Sequence, residues 1–339
     1  MTDGRDVSVV IVTHQSTGTL ERCLAALKAQ TVQGFETILS DDGSSDGAPQ
    51  AAAAADPGVI LLAHGANLGF AAGNNRAAEQ ARGRWLVLLN PDAYPEPDWL
   101  QALLAAAEAN PEARCFTARQ RMARDPARLD GLGDAMTVIG FPFRGGYGRP
   151  DPGTIPVAEV FSPCGAAMMI DRALFLRLGG FDEAFFCYCE DVDLGYRLRL
   201  VGEPVLLAAE AVVLHEGSVT TGGRRSDFSI YHGVRNRLWL YVKDTPPLLF
   251  WLTLPLHAAA TLGLGLRALV RGDGRAFNRG LVDAFKGMPA ILRRRRAVQA
   301  GRTASSADIA AFMTWSPWGA ARRKGRLRPI GSWPRPGGP

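Results

Sequence analysis

Short apolar runs alternate along the first third of the chain with segments in which apolar residues recur at helical spacing. The runs predict β-strands that are buried on both faces, and the segments between them predict amphipathic helices. Short connections between such elements are typical of an α/β fold with a doubly wound, mostly parallel sheet. The predicted strands are Val7–His14, Phe35–Asp41, Val59–Ala63 and Trp85–Leu89.

Polar residues stand at the ends of three of these predicted strands. Thr13 is at the end of the first, Asp41 is at the end of the second, and Asn90-Pro91-Asp92 follows the fourth. Right-handed crossovers bring these ends to one rim of the sheet, and ligands of open α/β sheets bind beyond that rim. The sequence therefore predicts a cleft bordered by these residues. A turn that caps the helix starting near Pro97 is the alternative for Asn90 to Asp92.

A second acidic group lies later in the chain. An apolar stripe that ends at Gly202 predicts a helix whose first turn contains Glu190, Asp191 and Asp193. The helix dipole favours one acid at this position, and a cap uses only one. Because three carboxylates within four positions repel one another, the pattern favours a catalytic or metal-binding role over capping.

A histidine marks the end of another predicted strand. Val205–Ala208 and Ala211–Leu214 predict two short strands, and His215 follows the second of them. A lone histidine is usually structural, but at a strand end with glycine nearby it can turn toward a metal ion. The sequence leaves both interpretations of His215 open.

The segment Met122–Val160 has no clear period and is rich in Gly, Pro and Arg. It follows a predicted helix over Pro97–Asn110 and a predicted strand over Ala113–Gln120. Long stretches without regular structure are uncommon inside compact domains. We expect either a mobile loop over the site or an insertion whose elements the pattern does not reveal. Order returns with a predicted strand over Phe161–Ile170.

Composition places the chain among globular proteins, because 47% of its 339 residues are apolar and 21% are charged. The first residues, Met1–Asp6, are polar, so no signal peptide is expected. Five cysteines, an odd number, then favour a reducing cytosol. Cys187-Tyr188-Cys189 lacks the second pair that a zinc site needs, so buried thiols are expected there.

The last third of the chain is basic and partly apolar. Residues 246–266 contain no Asp, Glu, Lys or Arg and are long enough to cross a bilayer. Pro255, His257 and many small residues make them only mildly apolar, which favours an interfacial or hydrophobic docking helix over a span. Arg293–Arg296 and the later arginines favour anionic lipid. No helix-turn-helix or zinc pattern accompanies them, so no nucleic-acid partner is expected.

Six motifs, in this order and spacing, resemble family 2 glycosyltransferases, and the branch they resemble most is rhamnosyltransferase-like. The likeness covers roughly Val7 to Val242. Each motif alone is weakly specific, whereas six in register are specific. The motifs are Asp41-Asp42-Gly43-Ser44-Ser45-Asp46, Asn67-Leu68-Gly69, Asn90-Pro91-Asp92, Gly180-Phe181-Asp182-Glu183, Glu190-Asp191-Val192-Asp193 and His215.

The resemblance implies a GT-A fold that transfers a sugar, with inversion, from a nucleoside diphosphate donor to an acceptor hydroxyl. By position in the motifs, Thr13 and Asp41 would contact the pyrimidine base, and Asp92 would bind the metal. His215 would be a further ligand or a diphosphate contact, and Asp191 would be the catalytic base. Asn67, Asn75 and Asn90 are further candidates on the donor side.

Chemistry supports the same roles. A divalent cation can neutralise charge on a departing diphosphate, and oxygen ligands with a histidine suit Mn²⁺ or Mg²⁺. Two departures from the family pattern bear on this site. Asn90 replaces the first acid of the metal element, and Asn74 stands where relatives often have a basic residue.

Glu190, Asp193 and Arg235 are expected either to contact the acceptor or to support the residues that do. Arg235 lies in a predicted helix from Tyr231, whose Arg and Asn face could reach the diphosphate or an anionic acceptor carrier, or could be merely exposed. The expected acceptor is a glycan or lipid-linked glycan in cell-surface polysaccharide or glycolipid synthesis.

Three regions are predicted: a catalytic domain over 1–242, a helical membrane-proximal region over 243–300 and a basic tail over 301–339. We expect a cytoplasmic protein held peripherally at the inner face of the cell membrane. A nucleotide-sugar-binding scaffold without activity is the alternative that Asn90 and Asn74 would favour. A dinucleotide oxidoreductase is disfavoured because no Gly-x-Gly-x-x-Gly follows the first strand.

Overall fold

Strands and helices alternate from the first apolar run onward in the computed structural model, which describes residues 4–217 and 226–333. The bounds in the first part are β1 Val7–Thr13, α1 Thr19–Lys28, β2 Glu36–Asp41, α2 Ala48–Ala55, β3 Val59–Ala63, α3 Phe70–Gln80 and β4 Trp85–Leu89. Strand β1 pairs in parallel with β2 and β4, and β2 pairs in parallel with β3. The strands predicted from the apolar runs are confirmed.

The second part adds further strands to the same sheet, a separate two-stranded hairpin and three α-helices. These are β5 Ala93–Pro95, α4 Trp99–Ala109, β6 Cys115–Met122, β7 Asp125–Gly131, β8 Asp134–Met136, β9 Pro142–Arg144, β10 Ala158–Glu159, β11 Ala167–Asp171, α5 Arg172–Arg177, α6 Glu190–Leu200 and β12 Val205–His215. The strand order is β10-β12-β6-β11-β4-β1-β2-β3, with β5 on β12 and β7 on β6. Strand β11 is antiparallel to both neighbours, and β12 is parallel to β6.

Strand β12 is continuous, although the sequence predicts two short strands there. Its pairing register with β6 shifts between Ala208 and Val212, which is a β-bulge. Glu210, within this bulge, is exposed while the residues on both sides of it are buried. A bulge interrupts the apolar pattern without ending the strand, and this explains the difference.

The segment without a clear period contains regular structure. Strand β7 is antiparallel to β6, and β8 and β9 form a separate two-stranded hairpin. The insertion alternative is therefore the correct one. Strands of three residues are too short to display a period, and Gly133, Gly140 and Gly146 turn the chain with positive φ angles of 78°, 79° and 79°.

Apolar side chains cover both faces of the sheet. Because side chains alternate along a strand, Val9 and Ile11 of β1 face one hydrophobic cluster, and Val10 and Val12 face the other. Helices α1 and α4 pack in the first cluster, and α3, α5 and α6 pack in the second. With both faces covered by apolar side chains, the polar residues are placed at the carboxyl ends of the strands.

Five helices complete the described chain: α7 Asp227–Asp244, α8 Pro247–Arg271, α9 Gly274–Ala300, α10 Ser306–Phe312 and α11 Pro317–Ala321. A third hydrophobic cluster joins Tyr196 of α6 to Trp239 of α7, Ile291 of α9 and Phe312 of α10. The regions predicted as 243–300 and 301–339 thus share a core with the catalytic region. Residues 334–339 of the basic tail lie outside the described residues.

Candidate active site

A cleft of about 750 Å³ opens beyond the carboxyl ends of β1 and β4. The turn that precedes α6 and the first turns of α7 form its opposite wall. The polar lining includes His14, Asp42, Asn67, Asn90, Asp92, Asp134, Arg144, Glu190, Asp191, His215 and Arg237. The cleft therefore lies at the rim that the sequence predicts.

Asp92 and His215 meet on one side of the cleft. Asp92 follows β4, and β5 then pairs with β12 so that Ala93 lies opposite His215. This pairing sets His215 Nε2 3.3 Å from Asp92 Oδ1. On the other side of the ring, His215 Nδ1 lies 2.7 Å from Asp130 Oδ2. The imidazole is thus held between two carboxylates.

The charges of this group reinforce one another. Burial opposes protonation of His215, but the carboxylates of Asp130 and Asp92 outweigh it and raise the pKa of His215 to about 9. Although burial favours the neutral acid, His215 holds the pKa of Asp92 below its usual range. Asp92 is therefore an anion at neutral pH, and a proton on His215 balances it.

The same atoms suit a divalent cation. If Nδ1 donates its hydrogen to Asp130, Nε2 becomes the ligand atom, as in the carboxylate–histidine–metal arrangement of many metal sites. Nε2 and the Asn90 Oδ1 atom are buried and have no well-aligned hydrogen-bond partner among the described residues. Asp92 supplies a carboxylate oxygen beside them. Oxygen ligands with one imidazole fit Mn²⁺ or Mg²⁺.

Asp191 lies on another wall of the cleft, in the first turn of α6. Its Oδ2 accepts a hydrogen bond from the backbone N–H of Gly165 at 2.9 Å, and its Oδ1 accepts one from Val192 at 2.8 Å. Beside it, burial and the Asp191 charge raise the pKa of Glu190 well above its ordinary value. Burial and the neighbouring charge therefore favour the neutral form of Glu190.

The turn before α6 has an unusual backbone. Phe186, Tyr188 and Cys189 have φ angles of 66°, 70° and 69°, in the left-handed region that non-glycine residues rarely adopt. Asn236 of α7 donates from Nδ2 to the carbonyls of the turn, at 2.8 Å to both Cys187 and Tyr188. Helix α7 thus holds the strained turn that presents Glu190 and Asp191.

Arg235 supports the same turn and does not line the cleft. It donates from Nη2 to the carbonyl of Phe185 at 2.9 Å and from Nε to Asn236 Oδ1 at 2.9 Å. Asp193 is likewise removed from the cleft. It is buried and pairs with Arg197 at 2.8 Å and with Lys243 at 2.5 Å. Both side chains therefore stabilise the surroundings of the acids.

Two adjacent acids, at the part of the cleft where the nucleotide-sugar donor is expected, have different surroundings. Asp41 turns away from the cleft and accepts hydrogen bonds from Ser44 N at 2.9 Å and Gln50 Nε2 at 3.1 Å. Its neighbour Asp42 lines the cleft and accepts bonds from the backbone of Leu68 and Gly69, at 2.7 and 2.8 Å. Of these two acids, Asp42 therefore borders the cleft, whereas Asp41, the predicted contact to the base, does not.

Of the remaining residues predicted to bind the nucleotide sugar, some border the cleft and others do not. Asn67 lines the cleft, and the buried hydroxyl of Thr13 at the end of β1 has no hydrogen-bond partner among the described residues. Asn75 lies outside the lining and bonds both the N–H and the carbonyl of Phe181, at 2.8 and 2.9 Å. Asn74 is buried and donates to its own helix at Phe70.

Sequence reasoning missed three residues of this site besides Asp42, and it included Arg237 only as part of the Arg and Asn face of the helix from Tyr231. Asp130, Asp134 and Arg144 come from the segment without a period, and no motif signalled them. Arg237 lies two positions after Arg235, on the part of α7 that borders the cleft, and packs its guanidinium 4.5 Å from the ring centre of Phe141. Within the described chain its Nε has no hydrogen-bond partner.

Comparisons with known proteins agree with the motifs. Residues 8–169 match the family model for glycosyl transferase family 2. A curated N-acetylglucosaminyl-diphospho-decaprenol L-rhamnosyltransferase from Mycobacterium tuberculosis is 32% identical over 309 residues, which cover 82% of this chain and 97% of the relative. An O-antigen biosynthesis protein from Myxococcus xanthus is 30% identical over 65% of this chain and 18% of its own length.

Solved structures share the fold. A Pyrobaculum calidifontis mannosyltransferase in complex with GDP-mannose and Mn²⁺ has a TM-score of 0.54 and 19% identity, covering 92% of this chain and 88% of its own. Residues 1–349 of Staphylococcus aureus TarS with UDP-GlcNAc have a TM-score of 0.55 and 17% identity, covering 90% of each chain. The GT-A fold expected from the motifs is confirmed.

Proposed function

Because the chain belongs to glycosyl transferase family 2 and is a rhamnosyltransferase-like glycosyltransferase, we propose that it transfers rhamnose, with inversion, from a nucleoside diphosphate donor to a lipid-linked glycan. The choice of rhamnose and of a lipid-linked acceptor follows the name of the Mycobacterium tuberculosis relative, an N-acetylglucosaminyl-diphospho-decaprenol L-rhamnosyltransferase. The pathway would be synthesis of a cell-surface polysaccharide or glycolipid.

One observation carries the proposal: Asp92, His215 and Asp191 line the same cleft. A one-step displacement needs a group that stabilises the departing diphosphate and a separate base for the acceptor hydroxyl. Asp92 and His215 would hold a divalent cation, Mn²⁺ or Mg²⁺, which when bound would neutralise charge on the diphosphate. Asp191 lies in a different element and remains available as the base.

The bonds in the reaction change together. The acceptor oxygen forms a bond to the anomeric carbon while the bond from that carbon to the diphosphate oxygen breaks. Asp191 takes the acceptor proton, and the nucleoside diphosphate leaves with the bonding electrons. A positioned carboxylate contributes about 10²- to 10⁴-fold to such a step. Attack opposite the leaving group inverts the anomeric centre.

A lipid-linked acceptor would bring its own anion into the cleft. Arg237 is suited to bind it, because guanidinium groups pair well with phosphate oxygens and its Nε lacks a partner among the described residues. Burial lowers the pKa of Arg237 to about 10, so the group stays charged at neutral pH. The aromatic residues Phe186 and Phe228 line the cleft nearby and could pack on an acceptor sugar.

Helix α8 supports a peripheral membrane position. Among the helices that the structure describes, it alone is long and apolar enough to cross a bilayer, and only 17% of its apolar window is buried. Trp251, Leu252 and Val270 are 69%, 67% and 89% exposed. Exposed arginines adjoin this face, at positions 267, 271, 275, 293 and 296. An apolar face with basic neighbours suits the anionic inner face of the cell membrane, from the cytoplasm.

The test is transfer by the purified protein from a panel of dTDP-, UDP- and GDP-sugars with Mn²⁺. We expect turnover with dTDP-rhamnose. NMR should show that the product has the anomeric configuration opposite to that of the donor. Asp191→Asn should abolish transfer while leaving donor affinity within about threefold, because its amide keeps the shape but cannot take the proton. Ordinary turnover in this variant would remove Asp191 from the base role.

A scaffold without activity is the second candidate, and Asn90 in place of an acid is the observation that favours it. One fewer negative charge weakens a cation site. A scaffold would bind the nucleotide sugar in calorimetry but release no nucleotide with Mn²⁺ and acceptor present. Release of nucleotide by the wild type, and not by Asp191→Asn, would exclude it.

A further inference from the structure

Two carboxyl groups meet beside the proposed base. Asp134 is the first residue of β8, and Asp191 is in the first turn of α6. Their oxygen atoms and the Sγ of Cys164 all lie within 4.8 Å of one another. Asp134 is 8% exposed, so water screens the pair poorly. Two anions at this separation repel strongly in a buried site, and one proton between them removes the repulsion.

The surroundings decide which acid holds the proton. Two backbone N–H groups donate to Asp191, from Gly165 at 2.9 Å and from Val192 at 2.8 Å, and both favour its anion. The cation beside Asp134 is Arg144, whose Nε is 3.9 Å away. Arg144 also pairs with Asp130, at a much shorter 2.6 Å. Asp134 is therefore the less stabilised anion.

The pKa values follow the geometry. Burial and the Asp191 carboxylate raise the pKa of Asp134 to about 8, and the charge of Arg144 only partly opposes them. Below that value the proton remains on Asp134. The other ionisable groups near the pair are Asp130, Cys164, Cys189 and Glu190.

These neighbouring groups do not change the assignment of the proton to Asp134. Burial raises the pKa of the Cys164 thiol to about 12, and it raises those of Cys189 and Glu190 well above their ordinary values, which favours the neutral form of all three. Asp130 is ionised, because it lies 2.7 Å from His215 and 2.6 Å from Arg144. Its negative charge adds to the reasons for Asp134 to keep a proton.

We propose that Asp134 is a positioning residue, which holds a proton against Asp191 so that Asp191 stays ionised and oriented as the base. The inference rests on the proposed function for the role of Asp191. A neutral Asp134 offers an O–H donor to the Asp191 carboxylate and adds no second negative charge to the cleft. The acceptor hydroxyl then meets one anion in a fixed orientation.

Two substitutions at position 134 separate this role from a packing role. Asp134→Asn is neutral and keeps an N–H donor, so kcat should stay within about threefold of wild type. Asp134→Ala removes the hydrogen-bond donor to Asp191, so kcat should fall about 10- to 100-fold, since hydrogen bonds to charged groups have effects of this size. The KM for the nucleotide sugar should not change. Asp125→Asn, at an exposed acid of the same segment, is the matched control.

The pH profile gives a signature that a packing role would not produce. In the wild type, kcat should fall as pH rises through about 8, because Asp134 then loses its proton and a second anion appears beside Asp191. Asp134→Asn cannot ionise and should lack this alkaline limb. Asp125→Asn should retain it.

An infrared difference spectrum tests the proton without any turnover. Wild type minus Asp134→Asn at pH 7 should show the carbonyl band of a protonated carboxylic acid, and this band should disappear as pH rises through about 8. If the band is present but no nucleotide sugar is turned over, the proposed function fails and the proton assignment stands.

Three results would overturn the inference. The first is a loss of transfer in Asp134→Asn as complete as in Asp191→Asn, which would require an ionised Asp134. The second is an unchanged kcat in Asp134→Ala. The third is loss of Mn²⁺ binding in Asp134→Asn by calorimetry, which would make Asp134 a metal ligand.

Discussion

Individual side chains in this cleft act through their partners. His215 is followed by a glycine two positions later and has no distinguishing motif, yet it lies between Asp92 and Asp130 at 3.3 and 2.7 Å. A sequence can identify the residue types that bind metal ions or move protons. It does not identify Asp130, which is 85 residues away from His215 and makes the shorter of these two contacts.

The first prediction at this scale concerns pH and stability without metal. The pKa of His215 is raised from an ordinary 6.5 to about 9, so its two ion pairs stabilise the fold fully below pH 6.5. That contribution, on the order of 3 kcal/mol, is lost as pH rises through about 9. Denaturant unfolding with a chelator at pH 6 and pH 10 measures it.

His215→Gln is the comparison variant for that experiment. It keeps a polar side chain but cannot take a proton, so its unfolding free energy should change less between the two pH values. An equal pH dependence in wild type and variant would assign the effect to other groups. Added Mn²⁺ should stabilise the wild type at pH 8 and have little effect on the variant, because binding to the native state raises stability.

At the scale of elements, α7 acts as the support for the start of α6. Asn236 is fully buried and donates to the carbonyls of Phe185, Cys187 and Tyr188. The positive φ angles of this turn are unfavourable for non-glycine residues and persist only where the surroundings impose them. The sequence shows the acids of α6 but not the residue that fixes their backbone.

Asn236→Ala should therefore affect both stability and catalysis. It leaves buried carbonyls without their donor, so we expect a loss of about 1–3 kcal/mol in unfolding free energy. Relaxation of the turn should move Asp191, so kcat should fall at least about tenfold. Thermal unfolding and steady-state kinetics measure the two effects. Gln299→Ala, which removes a similar amide bonded to the carbonyl of Asp244, is the control and should leave kcat near wild type.

The elements differ in how well the sequence predicts them. Strands β1 to β4 are built around short runs of apolar residues, and their approximate bounds follow from these runs and from the turn residues beside them. Strands β8 and β9 have three residues each and form a hairpin with one another, and Asp134 of β8 also bridges Ser162. Strands this short cannot display a period of two, so the sequence carries no local signal for them.

For the whole molecule, the exposed face of α8 carries the proposed contact with the membrane. Trp251→Glu with Leu252→Glu should lower binding to anionic lipid vesicles at least about tenfold, because each apolar side chain contributes about 1.5–3 kcal/mol when buried. Cosedimentation with phosphatidylglycerol vesicles measures it, and added salt should weaken wild-type binding. Donor hydrolysis in solution should remain unchanged.

Trp318→Glu provides the matched control, since Trp318 is 75% exposed and belongs to a different helix, α11. It should bind vesicles like the wild type. If the wild type and the α8 variant bind vesicles equally, this face does not contact lipid, and a protein partner would be the alternative occupant. Extraction of the wild type from membranes by carbonate would agree with a peripheral position, and resistance to it would favour a span.

The sequence by itself determined the class of fold, the family and the rim of the sheet at which the cleft opens. Buried strands need continuous apolar residues, and the polar residues that end them must lie at the edge of the sheet. Only the tertiary structure decided that Asp42 rather than Asp41 lines the cleft, that Asp193 and Arg235 support the site, and that Asp134 faces Asp191. These outcomes depend on side-chain direction and on contacts between distant segments, which the order of residues does not encode locally.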